Sequence, residues 1–453
     1  VRILIIGAAA AAALAVGAWG LWRVGAGEVE AAVDAQVAEL AERGVLLRWE
    51  NRRVEGFPLA YAVTLEGVAL AASDGAWAFS APWTLSRAPL FGGDAVVTTA
   101  APAGRLEVSG PQGLSQLRVE NEGLKIETPL GEGPATLSAE MLRLVQPGEG
   151  GAAPSTIALR GVSARAAADG GSAEGSAALV ETTIEGGPAE GGGVSRLTGL
   201  TVRASTEGGE GALLSEGARR EIVVAAAGSE SAGPGATVGA SGPVSLTIAS
   251  GDGRTRYAAR AAELRAGESE AADAAGTETE LMTLSLDVPA AATDARQPFT
   301  LELALEGVAP NEALWRAMDP GGAMERAPGS AQVALSGHVS GAAATGGLRP
   351  VDVGALRIET FRASGLGAQL SMTGEIAMPA GASSPNGQIS VAATGWAQAL
   401  DALEAGGVAP PAQAALVRAL AERLNAPDAP AGAFFSEIEL RGGMVFANGL
   451  RVR

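Results

Sequence analysis

The feature that most constrains this chain is its repeat of two. From about residue 45 onward, apolar residues recur at alternate positions in short runs, the pattern of a strand with one apolar face and one wet face. VSLTIAS (244–250) sets Val244, Leu246 and Ile248 on one side, and TLSLDV (283–288) does so with Leu284, Leu286 and Val288. TLELALEG (300–307) repeats this with Leu301, Leu303 and Leu305, and QLSMTGEIAM (369–378) with Leu370, Met372, Ile376 and Met378. In LAYAVTLEGVAL (59–70), Leu59, Tyr61, Val63 and Leu65 alternate until Gly67 shifts the register, after which Val68 and Leu70 continue the apolar set. Such runs come roughly every 10 to 18 residues, which predicts about two dozen strands, mostly antiparallel. LRVENEGLKIET (117–128) reads as a hairpin around Asn121 to Gly123. In FFSEIELRGGMVFANGLRVR (434–453), Phe434, Ile438, Leu440, Met444, Phe446, Leu450 and Val452 all hold even positions, across Gly442-Gly443 and Asn448-Gly449 turns. The stretches 168–193 and 205–236, rich in Ala, Gly and Glu, read as connectors. The predicted fold class is mainly β, a long antiparallel sheet.

Hydrophobic residues make up 47% of the chain and aromatics only 4%. The apolar content is therefore Ala, Val and Leu, which suits a thin sheet better than a thick core. One apolar run is of another kind. Ile3 to Trp22 carries no charge, and as a helix it would be about 30 Å long, one hydrocarbon thickness. Trp19 and Trp22 stand at its far end and Arg23 closes it. Residues 1–25 are thus predicted to be a transmembrane anchor, with a cleaved leader ending near Gly25 or Gly27 as the alternative; either way the bulk of the chain is exported. An amphipathic helix is predicted from Glu28 to Arg43, with Val29, Val33, Val37 and Leu40 on one side and Gly44 as its stop. Together with the sheet it forms a segment 26–310. A C-terminal β module, 311–453, carries helices at 311–318, 396–405 and 411–425, the last with Pro411 in its first turn and Leu416, Leu420 and Leu424 on one side.

The formal net charge of −18, with no basic stripe, argues against nucleic acid. The absence of cysteine excludes disulfides and thiolate metal sites. His338 is the sole histidine and lies in a strand without a nucleophile motif beside it. GPGATVG (233–239) leads into a strand, so it is no phosphate loop, and no acidic run has calcium-loop spacing. No catalytic residue, metal or cofactor is expected, and the chain does not read as an enzyme; a hydrolase of envelope polymers is the remaining catalytic alternative. Phe57, Tyr61, Trp77, Trp83 and Phe91 read as packing anchors and Trp315 as a contact between helix and sheet.

Three segments carry a resemblance. GFPLAYAVTLEGVAL (56–70), WAFSAPW (77–83) and APNEALWRAMDPGGAMERAP (309–328) resemble the bacterial envelope family called domain of unknown function 2125. Phe57, Pro58, Trp77, Pro82, Trp315, Asp319 and Pro320 stand at the matching points. The stretch from LSMTGEIAM (370–378) through the helix pair to the closing hairpins is similar to the C-terminal module of AsmA-like proteins. The resemblance implies a curved, groove-forming antiparallel sheet, single-pass in the inner membrane with its bulk in the periplasm, that binds or handles lipid. A phospholipid would then lie along the apolar wall, with Met372, Met378, Met444 and Phe446 either as soft, adaptable lining or, by default, as core filler. The alternative is a scaffold that contacts other envelope proteins by strand addition and carries no lipid.

Overall fold

The computed structural model describes residues 26–42, 44–56, 60–89, 93–110, 113–131, 133–148, 154–167, 172–184, 193–207, 219–233, 236–240, 242–267, 276–290, 296–319, 322, 326–340, 353–377 and 384–451. The predicted anchor over 1–25 lies outside them, and no described helix is long and apolar enough to cross a membrane. The described residues form an antiparallel sheet of 26 strands, in which many of the pairings join strands consecutive in the chain. Contacts divide the chain into two units, residues 1–194 with 200–215, and residues 195–199 with 216–453.

In the first unit, Ala60–Ala72 pairs with Trp77–Pro89, from Ala60 opposite Pro89 to Ala71 opposite Ala78. Its other edge takes both Val45–Arg48 and Asn51–Glu55. Several strands are interrupted at one level. Gly67 is left-handed (φ 61°), as are Gly123 (φ 66°) and Gly161 (φ 60°), a conformation that glycine adopts without steric cost. At that level Ala95–Ala100 gives way to Ala103–Gly110, and Gly113–Glu122 to Lys125–Pro129. The pairing of Ala60–Ala72 keeps its register across Gly67, while the most buried positions move from Val63 to Val68, an odd to an even number. The register shift expected at Gly67 is therefore absent; what changes there is the alternation of burial, at a crease that crosses the strands. The amide of Asn121 braces the crease by donating to the Ala101 carbonyl at 2.7 Å.

The predicted hairpin over 117–128 is corrected by this crease. Gly113–Glu122 and Lys125–Pro129 pair with the same neighbour, Ala135–Gln146, and not with each other. Gly123 breaks the strand without reversing it. Nor are 168–193 and 205–236 wholly connectors, since the strands Ser172–Ile184, Arg219–Ala226 and Gly228–Gly233 fall within them.

The second unit repeats the crease. Gly199 (φ 59°), Glu263 (φ 52°) and Gly307 (φ 66°) are left-handed in mid-strand. Glu280 lies between Glu263 and Gly307 in the registers of Gly276–Pro289 with Arg254–Gly267 and with Arg296–Pro310. A Cβ on Gly307 would come within 2.3 Å of the Glu280 side chain, which occupies that space. Two-residue turns at Asp252-Gly253, Leu366-Gly367, Gly442-Gly443 and Asn448-Gly449 have φ positive at both residues, the hairpin geometry that matches strand twist.

Helices sit where the strand pattern breaks. Residues 26–42 are helical, and Asp34 reaches Arg52 on the first edge at 2.6 Å. Glu312–Met318 is capped by Asn311, whose side-chain oxygen accepts from Leu314 N at 2.9 Å and from Gly276 N at 3.1 Å. Trp396–Ala405 and Pro411–Leu424 form a pair in which Arg418 bridges Asp401 (2.5 Å) and Glu404 (2.8 Å). In Pro411–Leu424, Ala414 is fully buried, while Leu416, Val417 and Leu420 are exposed.

Among the described residues no Leu, Ile, Met or Phe is buried. The buried apolar set is Ala and Val with the single large residue Trp315. In the first unit Val68, Ala81, Ala101, Ala139 and Ala177 cluster at the crease, where a bend in the backbone leaves room for small side chains only.

Candidate functional site

Strand registers decide which side chains share a face, because residues directly opposite one another point the same way. In the second unit they assemble one apolar surface. Ile248, Tyr257, Leu286, Leu301, Leu335 and Ile358 follow one another across six strands. A parallel row runs Leu246, Ala259, Leu284, Leu303, Val333, Phe361, Met372, Val391 and Ser436. Every Leu, Ile, Val and Phe of these rows is only half-buried. Ser436 closes the second row at 1% exposed, and its hydroxyl has no hydrogen-bond partner.

The first unit has a comparable surface on one side of its crease. Val45 and Leu47 lie opposite Ala72 and Leu70, Leu70 opposite Phe79, Phe79 opposite Leu106 and Trp77 opposite Val108. Leu106 then faces Leu117, and Leu142 and Leu144 face Leu159 and Ile157. Val108 and Ile157 are exposed. The reverse face carries Arg105, Glu107, Gln116, Arg118, Glu120 and Arg143, with Arg118 and Arg143 sharing the Glu120 carboxylate at 2.8 and 3.6 Å.

On the reverse face of the second unit, cross-strand ion pairs replace apolar rows. Asp287 accepts from Arg254 at 2.5 Å and Arg256 at 3.0 Å. Burial alone would raise the Asp287 carboxyl, but these two hydrogen bonds outweigh it and hold the group below the usual aspartate range. Arg357 donates to Glu375 at 2.9 Å, which raises the guanidinium above its ordinary value.

Of the residues singled out in the sequence, Tyr61 and Trp77 are half-buried, Tyr61 opposite Ala88 and Trp77 opposite Val108 on the apolar surface. Met372 stands between Phe361 and Val391 on the apolar face. Pro82 is exposed at the crease and lines a cleft of about 750 Å³ with Glu50, Gly67, Arg105 and Arg118. Trp315 is 4% exposed, with the Arg326 guanidinium 5.6 Å above its ring. Asp319, 2% exposed, ends the same helix, its backbone N–H donating to the Trp315 carbonyl at 2.8 Å. Trp315 and Asp319 are therefore both buried, one turn apart at the end of the same helix. Phe57, Pro58, Phe91, Pro320 and Met378 lie outside the described residues.

Two wall residues are corrected. Across the Gly442-Gly443 turn, Arg441 pairs with Met444, Leu440 with Val445 and Glu439 with Phe446. A two-residue turn pairs even with odd positions, so equal parity on its two sides means opposite faces. Met444 and Phe446 consequently share the polar face with Glu439, and the Arg441 guanidinium lies 5.7 Å above the Phe446 ring. Trp83 is likewise opposite Glu66 and exposed, not a core anchor. Sequence reasoning missed the two asparagines that fix the last helix to the sheet. Asn425 accepts from Phe435 N at 2.8 Å, while Asn448 accepts from Glu437 N at 2.8 Å and donates to the Leu424 carbonyl at 2.7 Å.

Among the described residues no group of three or more His, Cys, Asp or Glu is placed to hold a metal ion. Comparisons with curated proteins and with solved structures gave no match. One family does match, over residues 22–301 and 220–452, and these two stretches together span the described strands and helices. The chain belongs to that family, described as an uncharacterized protein conserved in bacteria (DUF2125).

Proposed function

We propose that this protein binds lipid acyl chains along the apolar face of its sheet, as an inner-membrane-anchored periplasmic groove protein that serves envelope homeostasis. The observation that carries the reading is the missing seal. Rows of Leu, Ile, Val and Phe cross the strands of the second unit, yet none of their Leu, Ile or Phe side chains is buried among the described residues. A face of that composition left half-covered marks an interaction surface. Acyl chains suit it because the rows offer no charge to orient a polar ligand, and each methylene laid against them contributes roughly 0.8 kcal/mol. A headgroup would remain in water, which avoids the cost of burying it. The likeness of the C-terminal segment to AsmA-like proteins, with the apolar run Ile3 to Trp22, supports the envelope setting.

Native mass spectrometry of the full chain, extracted in mild detergent, tests the reading. Phospholipid is expected to co-purify, and Leu303→Arg, which puts a charge between Leu284 and Val333, is expected to remove most of it while the fold persists. A lipid-free wild-type preparation, or unchanged lipid in the variant, overturns the proposal.

A second reading, a scaffold without lipid, draws on the exposed apolar stripe Leu416, Val417 and Leu420. It predicts protein partners lost on mutation of that helix, with no lipid in the preparation.

A further inference from the structure

The polar face of the second unit has one place where its ion-pair lacing stops. Arg254 and Arg256 are both tied to Asp287, but Arg260, on the same face of the same strand, has no such partner. Around it lies a cleft of about 480 Å³, within the range of roughly 300–1,000 Å³ usual for small-molecule sites. Two rows of directly opposed residues line it, with Ala259, Leu284, Leu303 and Val333 of the intervening row between them. One runs Ser245, Arg260, Thr283, Ala304 and Gln332; the other runs Thr247, Ala258, Ser285 and Glu302. None of their polar side chains has a hydrogen-bond or ion-pair partner among the described residues.

The chemistry of this lining is mixed but balanced. It offers one guanidinium, one carboxylate, four hydroxyls and one carboxamide, so the cleft presents both donors and acceptors. Arg260 and Glu302 are two strands apart, about 10 Å across the sheet, too far to neutralise each other by contact. A simple anion would meet Glu302 and a simple cation Arg260. A ligand that presents both donors and acceptors along its length, without net charge, satisfies all of them. Ala258 and Ala304 leave low methyl surfaces between the polar groups, against which the C–H face of a sugar ring packs. We propose that this cleft binds a short uncharged oligosaccharide, on the face opposite the apolar rows and independently of any lipid.

The test uses the full chain in mild detergent, titrated with maltotriose, cellotriose and triacetylchitotriose by calorimetry and saturation-transfer NMR. At least one sugar is expected to bind at about 10 mM or below. Arg260→Ala and Glu302→Ala are each expected to weaken it by about tenfold or more, while leaving the thermal melt and lipid content unchanged. Arg105→Ala, in the first unit, serves as the control and is expected to have no effect. Failure of all three sugars to bind, binding indifferent to both cleft variants, or displacement of the sugar by inorganic phosphate overturns the proposal.

Discussion

Gly307→Ala isolates the crease from the rest of the sheet. At φ 66° the position is left-handed, which costs a residue with a Cβ roughly 1–2 kcal/mol. The added methyl would also lie 2.3 Å from Glu280 Cγ and 2.7 Å from its Cβ. A clash with the base of a side chain, which rotation alone does not relieve, adds a further ~1–3 kcal/mol. Restricting the unfolded chain returns about 0.5 kcal/mol. The expected net loss is therefore about 2–4 kcal/mol, read as a lowered urea midpoint. The second variant separates the two causes. Glu280→Ala combined with Gly307→Ala removes the Cγ contact but keeps the 2.7 Å approach to Cβ and the backbone strain, so the double variant should recover only part of the loss, to about 1.5–3 kcal/mol. A single-variant loss below about 0.5 kcal/mol, or no recovery in the double variant, refutes the assignment of Gly307 to a packed, left-handed crease.

Asp287→Asn should flatten the acid limb of the stability curve. Because the folded carboxyl titrates below its unfolded value, its stabilisation is complete above about pH 4 and is lost as pH falls further, through the folded pKa. Wild type should lose more stability than the variant between about pH 4 and pH 2 in urea titrations, and equal losses would contradict the assignment. In the last helix, Ala414→Leu should cost about 1–3 kcal/mol in chemical denaturation, whereas Leu420→Ser should change stability by less than about 0.5 kcal/mol; the reverse order would restore the leucine side as the packed one. Phe446→Ala should leave co-purifying lipid unchanged and Met372→Arg should remove it, since only Met372 belongs to the apolar face. Equal effects on extracted lipid would undo the face assignment.

The period-two pattern made most of the sheet legible, because a strand with one apolar face writes that face directly into alternate positions. Leu246, Leu284, Leu303 and Met372 were recognisable as strand-face residues before any pairing was known. What the pattern could not supply was the relation between strands. Asn121 to Gly123 looked like a reversal because the residues that favour turns also favour a left-handed break in a continuing strand. Met444 and Phe446 kept the parity of Leu440 in the sequence, but parity has meaning only within one strand, and the Gly442-Gly443 turn resets it. For the helix over 411–424, the leucine stripe is legible in the sequence but does not say which side is covered, and Ala414 is the buried residue. The cleft around Arg260 was hidden for a related reason. Its lining comes from five strands at nearly 90 positions' remove, and single Ser, Thr and Gln residues on polar faces look alike until registers place them together.

The scarcity of large buried side chains has a mechanical meaning. With cohesion residing in ladders between adjacent strands, each strand depends mainly on its two companions, as the modules of a solenoid do. Loss of an outermost strand then exposes a new rim without emptying a shared interior. Such a fabric lengthens or shortens by whole hairpins, and it frays inward from its selvedges before it fails as a whole.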